Sequence, residues 1–311
     1  MDIAVLFSNL VGLFLLIGVG FLAVRLGILP AQAAKPMSAL LMKITVPATI
    51  VSSMIRPFDP AFVRQGLTIL AVGTALFGLF SALSLGLSRL FRVPQGRRGM
   101  WSCCATYCNN GFMGFPVALA VLGEEGLALT VILAIPFNLV VYSVGAKMVC
   151  MDVAAEGSAP AISWKKAIFS VINLATMIGV VLYVTQLPVP EAILTPVRHL
   201  SNVTTPLSMI IIGINLSQGS MADVVRDRDA FTASGVRLLL FPLLAWAVMC
   251  CIPGLDSMVM AATLLNLSMP SLAASALMGE EYGGCVQLAS RTIFLSSLLC
   301  IVTIPLISLL L

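Results

Sequence analysis

Apolar runs of about 20 residues recur from one end of this 311-residue chain to the other. A helix of about 20 apolar residues spans the hydrocarbon layer of a bilayer, where each backbone polar group must find a partner within the protein. Only 10% of the residues are charged, whereas soluble domains contain roughly 25%. The sequence therefore predicts an all-α polytopic membrane protein with no room for a soluble domain.

Ten membrane helices fit between polar or turn-forming connections. We place them at residues 4–24, 37–55, 66–88, 100–122, 127–149, 165–185, 195–217, 230–252, 257–278 and 287–309. The apolar stretch at the amino terminus is too long for the core of a signal peptide, so we assign it as the first helix. A short connection, residues 150–164, separates two five-helix halves, residues 1–149 and 165–311.

The basic residues in the connections set the predicted orientation. With the amino terminus outside, eleven basic residues fall in the inside connections and three in the outside connections. The inside set is Arg25, Lys35, Arg89, Arg92, Arg97, Arg98, Lys147, Lys165, Lys166, Arg226 and Arg228, and the outside set is Arg56, Arg64 and Arg198. Cytoplasmic loops carry such an excess. We therefore expect a multi-pass protein of the cell membrane with both termini extracytoplasmic. The net charge of +4 then reflects topology, and no nucleic-acid partner is expected.

Short motifs recur in the two halves. Residues 41–49 align with residues 200–208 at threonine, proline and hydroxyl positions, and residues 122–126 resemble residues 278–283. Because each half contains an odd number of helices, the second copy enters the membrane in the opposite sense. The sequence thus predicts an inverted repeat, a plan that many secondary transporters share.

The fourth and ninth helices each carry polar residues, glycine or serine, and a proline at mid-span, in residues 107–116 and 265–271. Proline removes a backbone donor and clashes with the preceding turn, and glycine permits conformations that a helix does not use. Either segment alone could be an ordinary proline kink. Two such segments at corresponding positions favour helices that are broken at mid-membrane, where unwound backbone must face protein or a wet cavity.

These two segments carry a family resemblance. Asn-Asn-Gly-Phe-x-Gly-Phe-Pro, beginning at Asn109, and Asn-x-Ser-x-Pro, beginning at Asn266, resemble the auxin efflux carrier family. The resemblance covers nearly the whole chain and implies the ten-helix inverted-repeat fold shared with bile-acid sodium symporters. It also implies that the fourth and ninth helices cross at their prolines, and that an elevator mechanism moves helices 3–5 and 8–10 against a scaffold of helices 1, 2, 6 and 7.

The resemblance further implies a homodimer and an organic-acid substrate, either a small acid such as malonate or malate or a larger, auxin-like aromatic acid. Two departures from the family matter. The connection at residues 152–163 is far shorter than the central loop of the plant carriers, and no Asp or Glu lies at mid-span. The second departure argues against a proton relay built on carboxylates.

The broken helices suggest a binding site for an anion. The first amides of a helix that restarts have no internal partners and lie at the positive end of its dipole, which suits a carboxylate. The adjoining carbonyl ends could hold a cation, so H+ or Na+ coupling stays open. We expect no cofactor and no metal ligands. The candidate substrate-binding residues are Asn109, Asn110, Gly111, Gly114, Pro116, Asn266, Ser268, Pro270, Ser271 and Arg291.

Three basic residues, Lys43, Arg237 and Arg291, lie within predicted spans. They could attract an anionic substrate, or their long side chains could extend to the membrane interface. Arg291 is the strongest candidate for binding because its helix directly follows the ninth. We expect His199 to be interfacial, and Glu124, Glu125, Glu280 and Glu281 to be solvated helix ends, with proton coupling left open.

Other function classes are less consistent with the sequence. A hydrolase or prenyl-transfer enzyme within the membrane needs a buried Ser-His pair, paired aspartates or a metal cluster, and the lone His199 supplies none of these. The sequence therefore predicts a carrier and not an enzyme. A channel or a ligand sensor could share the broken helices, and these two alternatives stay open.

Overall fold

The computed structural model describes residues 3–152, 170–218, 224 and 227–310, and the side chains from residue 8 onward. Regular structure in these ranges is helical. The first half contains α1 (Ile3–Arg25), α2 (Ala34–Leu40), α3 (Val46–Met54), α4 (Pro60–Leu90), α5 (Arg98–Thr106), α6 (Phe115–Val140) and α7 (Ala146–Cys150). The second half contains α8 (Val171–Thr185), α9 (Glu191–Gln218), α10 (Arg228–Gly235), α11 (Phe241–Cys250), α12 (Ser257–Leu267), α13 (Ser275–Tyr282) and α14 (Val286–Ser308).

Seven helical stretches of the described residues are long and apolar enough to cross a membrane, and α8 and α12 are apolar but shorter. Large apolar side chains point outward from α1, α4, α8 and α14, where Leu15, Leu67, Val181 and Val302 are each more than half exposed. Many asparagine, serine and threonine side chains are buried instead. Such a surface suits lipid and not water, in agreement with a polytopic membrane protein.

Part of the predicted organisation falls outside the described residues. This applies to most of the connection between the halves, and to Lys165, Lys166 and Arg226 among the inside basic residues. The described part of the predicted sixth helix begins at α8, and Ser170 caps it by accepting a hydrogen bond from the Asn173 N–H group.

Four π-helical turns, Leu41–Thr45, Asn110–Gly114, Val141–Gly145 and Val236–Leu240, lie between consecutive α-helices. Three of them immediately precede a helix whose second residue is proline, namely Pro47, Pro116 or Pro242. A proline ring clashes with the carbonyl group four residues earlier, and that residue lies inside the π-turn in each case. A wider turn relieves the clash without ending the helix.

The turn between the predicted fourth and fifth helices is tighter than we expected. The sequence suggested a connection from Gly123 to Gly126, but only Gly123 departs from helical geometry, with φ +69°. Glycine adopts a positive φ readily because it has no Cβ atom. A single residue therefore bends α6, and Glu124 already belongs to the next helical segment.

Helices α1 and α9 pack with unusually close backbones. A Cβ atom at Gly20 would overlap the carbonyl group of Ile210, and one at Gly213 would overlap the carbonyl group of Ile17. Small residues at facing positions allow this approach in membrane proteins, where van der Waals packing replaces the hydrophobic effect as the force between helices. This contact joins the first predicted helix to the seventh.

Replacing Gly20 by Ala should therefore weaken the α1–α9 contact. We expect a loss of about 1–3 kcal/mol in unfolding free energy, the usual effect of overpacking, seen as a lower thermal unfolding temperature in detergent. Gly18→Ala is the matched control, since a Cβ atom there has nothing within 4 Å. Equal unfolding temperatures for the two variants would contradict the close approach.

Candidate functional site

Two helices are interrupted within the protein core. Helix α5 ends at Thr106, and helical structure resumes at the π-turn Asn110–Gly114 that leads into α6. Helix α12 ends at Leu267, and α13 begins at Ser275. We call the two non-helical segments, residues 107–109 and 268–274, the first and second interruptions.

The two interruptions bind each other through their backbones. The Asn109 N–H group donates to the Pro270 carbonyl oxygen at 2.8 Å, and the Leu272 N–H group donates to the Tyr107 carbonyl oxygen at 2.9 Å. Cys108 and Ser271 thereby form an isolated antiparallel bridge. Backbone groups that leave their helices thus find partners across the contact, as burial requires.

Buried amide side chains reinforce this contact. Asn266 Nδ2 donates to Asn110 Oδ1 at 2.5 Å, and the Cys108 thiol donates to Asn266 Oδ1 at 3.2 Å. Gly114 makes room for the pair, because a Cβ atom there would lie 2.8 Å from Asn110 Oδ1 and 3.1 Å from Asn266 Nδ2. Asn266 is thereby engaged through both atoms of its side-chain amide, and Asn110 is engaged through Oδ1.

The two predicted serines are also engaged within the protein. Ser268 Oγ donates to the Leu264 carbonyl oxygen at 2.7 Å, and Ser271 Oγ donates to the Cys104 carbonyl oxygen at 2.9 Å. The Ser271 N–H group donates to Ser296 Oγ at 3.0 Å. Both hydroxyls stabilise unwound or terminal backbone.

Neither polar atom of the Asn109 side chain makes a hydrogen bond to another described residue. The residue is only 4% exposed. It lines two cavities, one of about 420 Å³ and one of about 60 Å³. A buried, unpaired amide that faces a cavity is available for a ligand.

The larger cavity lies between α9, the second interruption with α13, and α14. Its lining among the described residues is mostly apolar, with a few polar side chains, and contains no Asp, Glu, Lys, Arg or His. It consists of Asn109, Phe112, Ile212, Asn215, Leu216, Gln218, Ala273, Ala276, Leu277, Ser290, Ile293, Phe294 and Ser297. Asn215 and Ser297 escaped the sequence analysis, because a single polar residue in an apolar run does not reveal which way it faces.

The smaller cavity is lined by residues of both interruptions, α6 and α8. Gly111, Asn138 and Tyr142 are among its lining residues, together with Asn109 and Asn110. Asn138 Nδ2 donates to Asn173 Oδ1 at 2.8 Å, which joins α6 to α8 beside this cavity. The two cavities share Asn109, Phe112 and Ala273.

Backbone N–H groups without acceptors lie at both restarts. The amides of Gly111 and Phe112 follow the first interruption, and those of Ala273 and Ala274 precede α13. None of these four donates a hydrogen bond to another described residue. Gly111, Phe112 and Ala273 also line the cavities that contain Asn109. The cavities therefore adjoin the amide ends of two helical segments, as the sequence led us to expect for a carboxylate site.

Arg237 occupies the opposite, carbonyl side of the interruptions. The side chain is completely buried, and its guanidinium donates to the carbonyl oxygens of Thr106 and Leu267. These are the last residues of α5 and α12. The possibility that Arg237 extends to the membrane interface is therefore wrong, and the guanidinium binds helix carbonyl ends.

The other two cationic candidates lie elsewhere. Arg291, expected to reach the broken helices, donates instead to Asp227 Oδ2 at 2.7 Å and lines neither cavity. Asp227, which lies in a predicted connection, holds Arg291 away from the interruptions. This buried carboxylate also binds Arg97 at 2.7 Å. Lys43 is exposed and lines neither cavity.

The acidic pair at Glu124 and Glu125 lies at a separate cavity of about 570 Å³. Arg56, Arg198 and Asn202 line the same cavity. Glu280, Glu281 and His199 are exposed. These positions are compatible with solvated helix ends.

A known family matches nearly the whole chain. The family described as "Membrane transport protein" matches residues 5–308. The chain belongs to this family, which is the auxin efflux carrier family. It is 28% identical to a protein named "Uncharacterized transporter" from Methanothermobacter thermautotrophicus over 96% of each chain. It is 23% identical to a "Putative malonate transporter" from Rhizobium meliloti, over 94% of this chain and 91% of that protein. The family and these relatives are transporters, not enzymes.

The Asp227 ion pairs predict a pH-dependent stability. Burial raises the pKa of the Asp227 carboxyl, but hydrogen bonds from Arg291 and Arg97 outweigh this effect and hold the pKa below its ordinary value. A carboxyl with a lowered pKa stabilises the fold above its unfolded pKa of about 4. That contribution is lost as the pH falls through the lower, folded pKa.

Asp227→Asn should accordingly lower the unfolding free energy at pH 7 by about 2 kcal/mol, the scale of hydrogen bonds to charged groups. It should also reduce the loss of stability on acidification, as measured by thermal unfolding across a pH series. Glu191→Gln is the control, because the pair between Glu191 and Arg198 is exposed and such pairs contribute little. An Asp227→Asn protein as stable as the parent at pH 7 would refute the structural role of this cluster.

Proposed function

We propose that the protein is a secondary-active carrier of a small organic anion, a mono- or dicarboxylate such as malonate or malate. The observation that carries the proposal is the convergence of an unpaired Asn109 amide and free backbone amides at two helix restarts on adjoining cavities. Carboxylate oxygens accept hydrogen bonds from such donors, and the helix dipoles favour negative charge there.

Charge supports an anion over a cation. Among the described residues, the lining of both cavities contains no Asp or Glu, so these residues offer no carboxylate to bind a cationic substrate. Arg237 supplies a positive charge behind the same interruptions. An anion would therefore be bound on the amide side and attracted by the net charge of the cluster.

The size of the substrate is suggested by the cavity and by one relative. A volume of about 420 Å³ holds a three- or four-carbon acid with water, and the relative from Rhizobium meliloti carries the name of a malonate transporter. The apolar walls, with Phe112 and Phe294, would also suit a larger aromatic acid. Unlike a three- or four-carbon acid, which would share the cavity with water, an aromatic acid would fill the cavity with its ring.

The expected architecture gives this cavity a role in transport. We propose ten membrane helices as two inverted five-helix repeats, with the interrupted helices crossing at the bridge between Cys108 and Ser271. In this assignment α9 belongs to the scaffold, and α13 and α14 belong to the transport bundle. The cavity then lies at the boundary between them, where an elevator movement would carry a bound anion. The homodimer stays a prediction of the family resemblance.

The proposed orientation places the larger cavity toward the cytoplasm. Gln218 ends α9, and Ser290 lies in the first turns of α14; both line this cavity. With both chain termini outside, these helix ends face inward. The described conformation would then be open to the inside.

The function is tested by counterflow in proteoliposomes. If the protein is a carrier, proteoliposomes loaded with unlabelled malonate should transiently accumulate labelled malonate from outside, with initial rates that saturate. Flux that stays proportional to concentration would indicate a channel, and binding without flux would indicate a sensor. Either result would contradict the proposal, as would counterflow only with bulky aromatic acids.

Asn109→Ala should weaken malonate binding about tenfold, which corresponds to about 1.4 kcal/mol for one lost hydrogen bond to a charged group. Isothermal calorimetry on the purified protein measures this. Asn202→Ala is the control, because Asn202 lines the separate cavity near Glu124 and its loss should leave affinity unchanged. Equal affinity in the Asn109→Ala protein and the parent would remove Asn109 from the site.

A further inference from the structure

Arg237 is buried with no carboxylate partner among the described residues. The π-turn that contains it, Val236–Leu240, is otherwise apolar, and the residue is 0% exposed. Arginine does not lose its proton in proteins, so a full positive charge lies within the core. A buried charge is tolerated only where the surrounding protein compensates it.

The compensation comes from two helix ends. Thr106 and Leu267 terminate α5 and α12, and the guanidinium donates to both carbonyl oxygens. The carboxyl end of a helix carries roughly half a negative charge. Two such ends sum to roughly one negative charge, which the single charge of Arg237 balances. The planar guanidinium can reach both carbonyl groups at once, whereas an ammonium group would not present this fork.

Local structure positions this side chain. Arg237 lies in the π-turn that precedes Pro242, so the helix widens where the guanidinium leaves it. Asp227 caps α10 upstream, and Trp101 Nε1 donates to Thr232 Oγ1 at 3.0 Å, which ties α10 to α5. Arg237 thus connects α10 to both interrupted helices.

Unwound carbonyl ends at the middle of a membrane are the groups that coordinate a coupling Na+ in many secondary transporters. In this chain the carbonyl groups of Thr106 and Leu267 are already bound by a guanidinium. We propose that Arg237 is a resident cation that takes the electrostatic place of a coupling metal cation at the two interruptions, so that the anion binds independently of Na+.

This inference rests on the proposed anion-carrier function only where malonate affinity is measured, and the unfolding temperatures test it independently. It also predicts the charge of the site: Arg237 balances the two carbonyl ends, so the partial positive charge of the two amide ends is left for a bound anion. Because the cation is covalently attached, it stays in place throughout the cycle and does not need to be released.

The first experiment measures Na+ dependence in the parent protein. Malonate affinity is determined by isothermal calorimetry in NaCl, KCl and choline chloride at equal ionic strength, and thermal unfolding is measured in the same salts without malonate. We expect affinities within about twofold and equal unfolding temperatures. A tenfold tightening by Na+, or an unfolding temperature several degrees higher in NaCl alone, would overturn the inference.

Variants separate the charge from the side-chain shape. Arg237→Lys keeps the charge but cannot reach both carbonyl groups as a fork, and Arg237→Gln keeps a donor but loses the charge. We expect Gln to weaken malonate binding in choline chloride more than tenfold and Lys to weaken it less. Arg291→Gln is the matched control, because Arg291 binds Asp227, and its malonate affinity should stay within about twofold of the parent.

The readouts distinguish the two proposals. If the parent binds no organic acid in any salt, the carrier function fails, and the unfolding temperatures still test the resident cation. In that case Arg237→Gln should unfold at a lower temperature than Arg237→Lys in choline chloride. Equal unfolding temperatures for Gln, Lys and parent, or equal malonate affinities for Gln and parent, would show that the charge has no such role.

Discussion

Backbone polar groups that leave a helix inside hydrocarbon need partners within the protein, and this constraint organises the centre of the molecule. The two interruptions meet it jointly. Each supplies a backbone donor to the other, at Asn109 and Leu272, and the amides of Asn110 and Asn266 join their flanks. The remaining backbone groups at the helix ends are separated by type. The carbonyl ends lie on one side, where Arg237 binds them, and the amide ends lie on the other side, next to the cavities.

In the proposed function, this polarity links the fold to transport. The cation on the carbonyl side and the free donors on the amide side have no Asp or Glu partner among the described residues. Both therefore favour binding of an anion. Two carboxylates elsewhere have structural partners. Asp227 holds Arg97 and Arg291 at the start of α10, and Asp152 accepts hydrogen bonds from the Gly99 and Met100 amides at the start of α5. The amino ends of these two helices thus have carboxylate partners, whereas the amides of Gly111, Phe112, Ala273 and Ala274 at the interruptions have no acceptor among the described residues.

Much of this arrangement could be predicted from the sequence, because some sequence patterns are compatible with only one kind of local structure in a membrane. Apolar runs near the length of a bilayer specify helices, and asparagine, glycine and proline at mid-span mark unwound backbone. The roles of individual polar residues do not follow. Asn109 and Asn110 are adjacent amides, and only their packing decides which one pairs with Asn266. Arg237 and Arg291 both interrupt apolar runs, so the sequence alone cannot show that one binds carbonyl ends and the other binds Asp227.

Binding of the anion at the amide ends is tested most directly by an experimental structure of the purified protein with malonate bound. We expect one carboxylate within hydrogen-bond distance of the Asn109 amide and of a backbone N–H group at Phe112 or Ala273. Arg237 should still donate to the carbonyl groups of Thr106 and Leu267. Malonate bound directly to the Arg237 guanidinium, or bound only in the separate cavity near Arg198, would contradict this assignment.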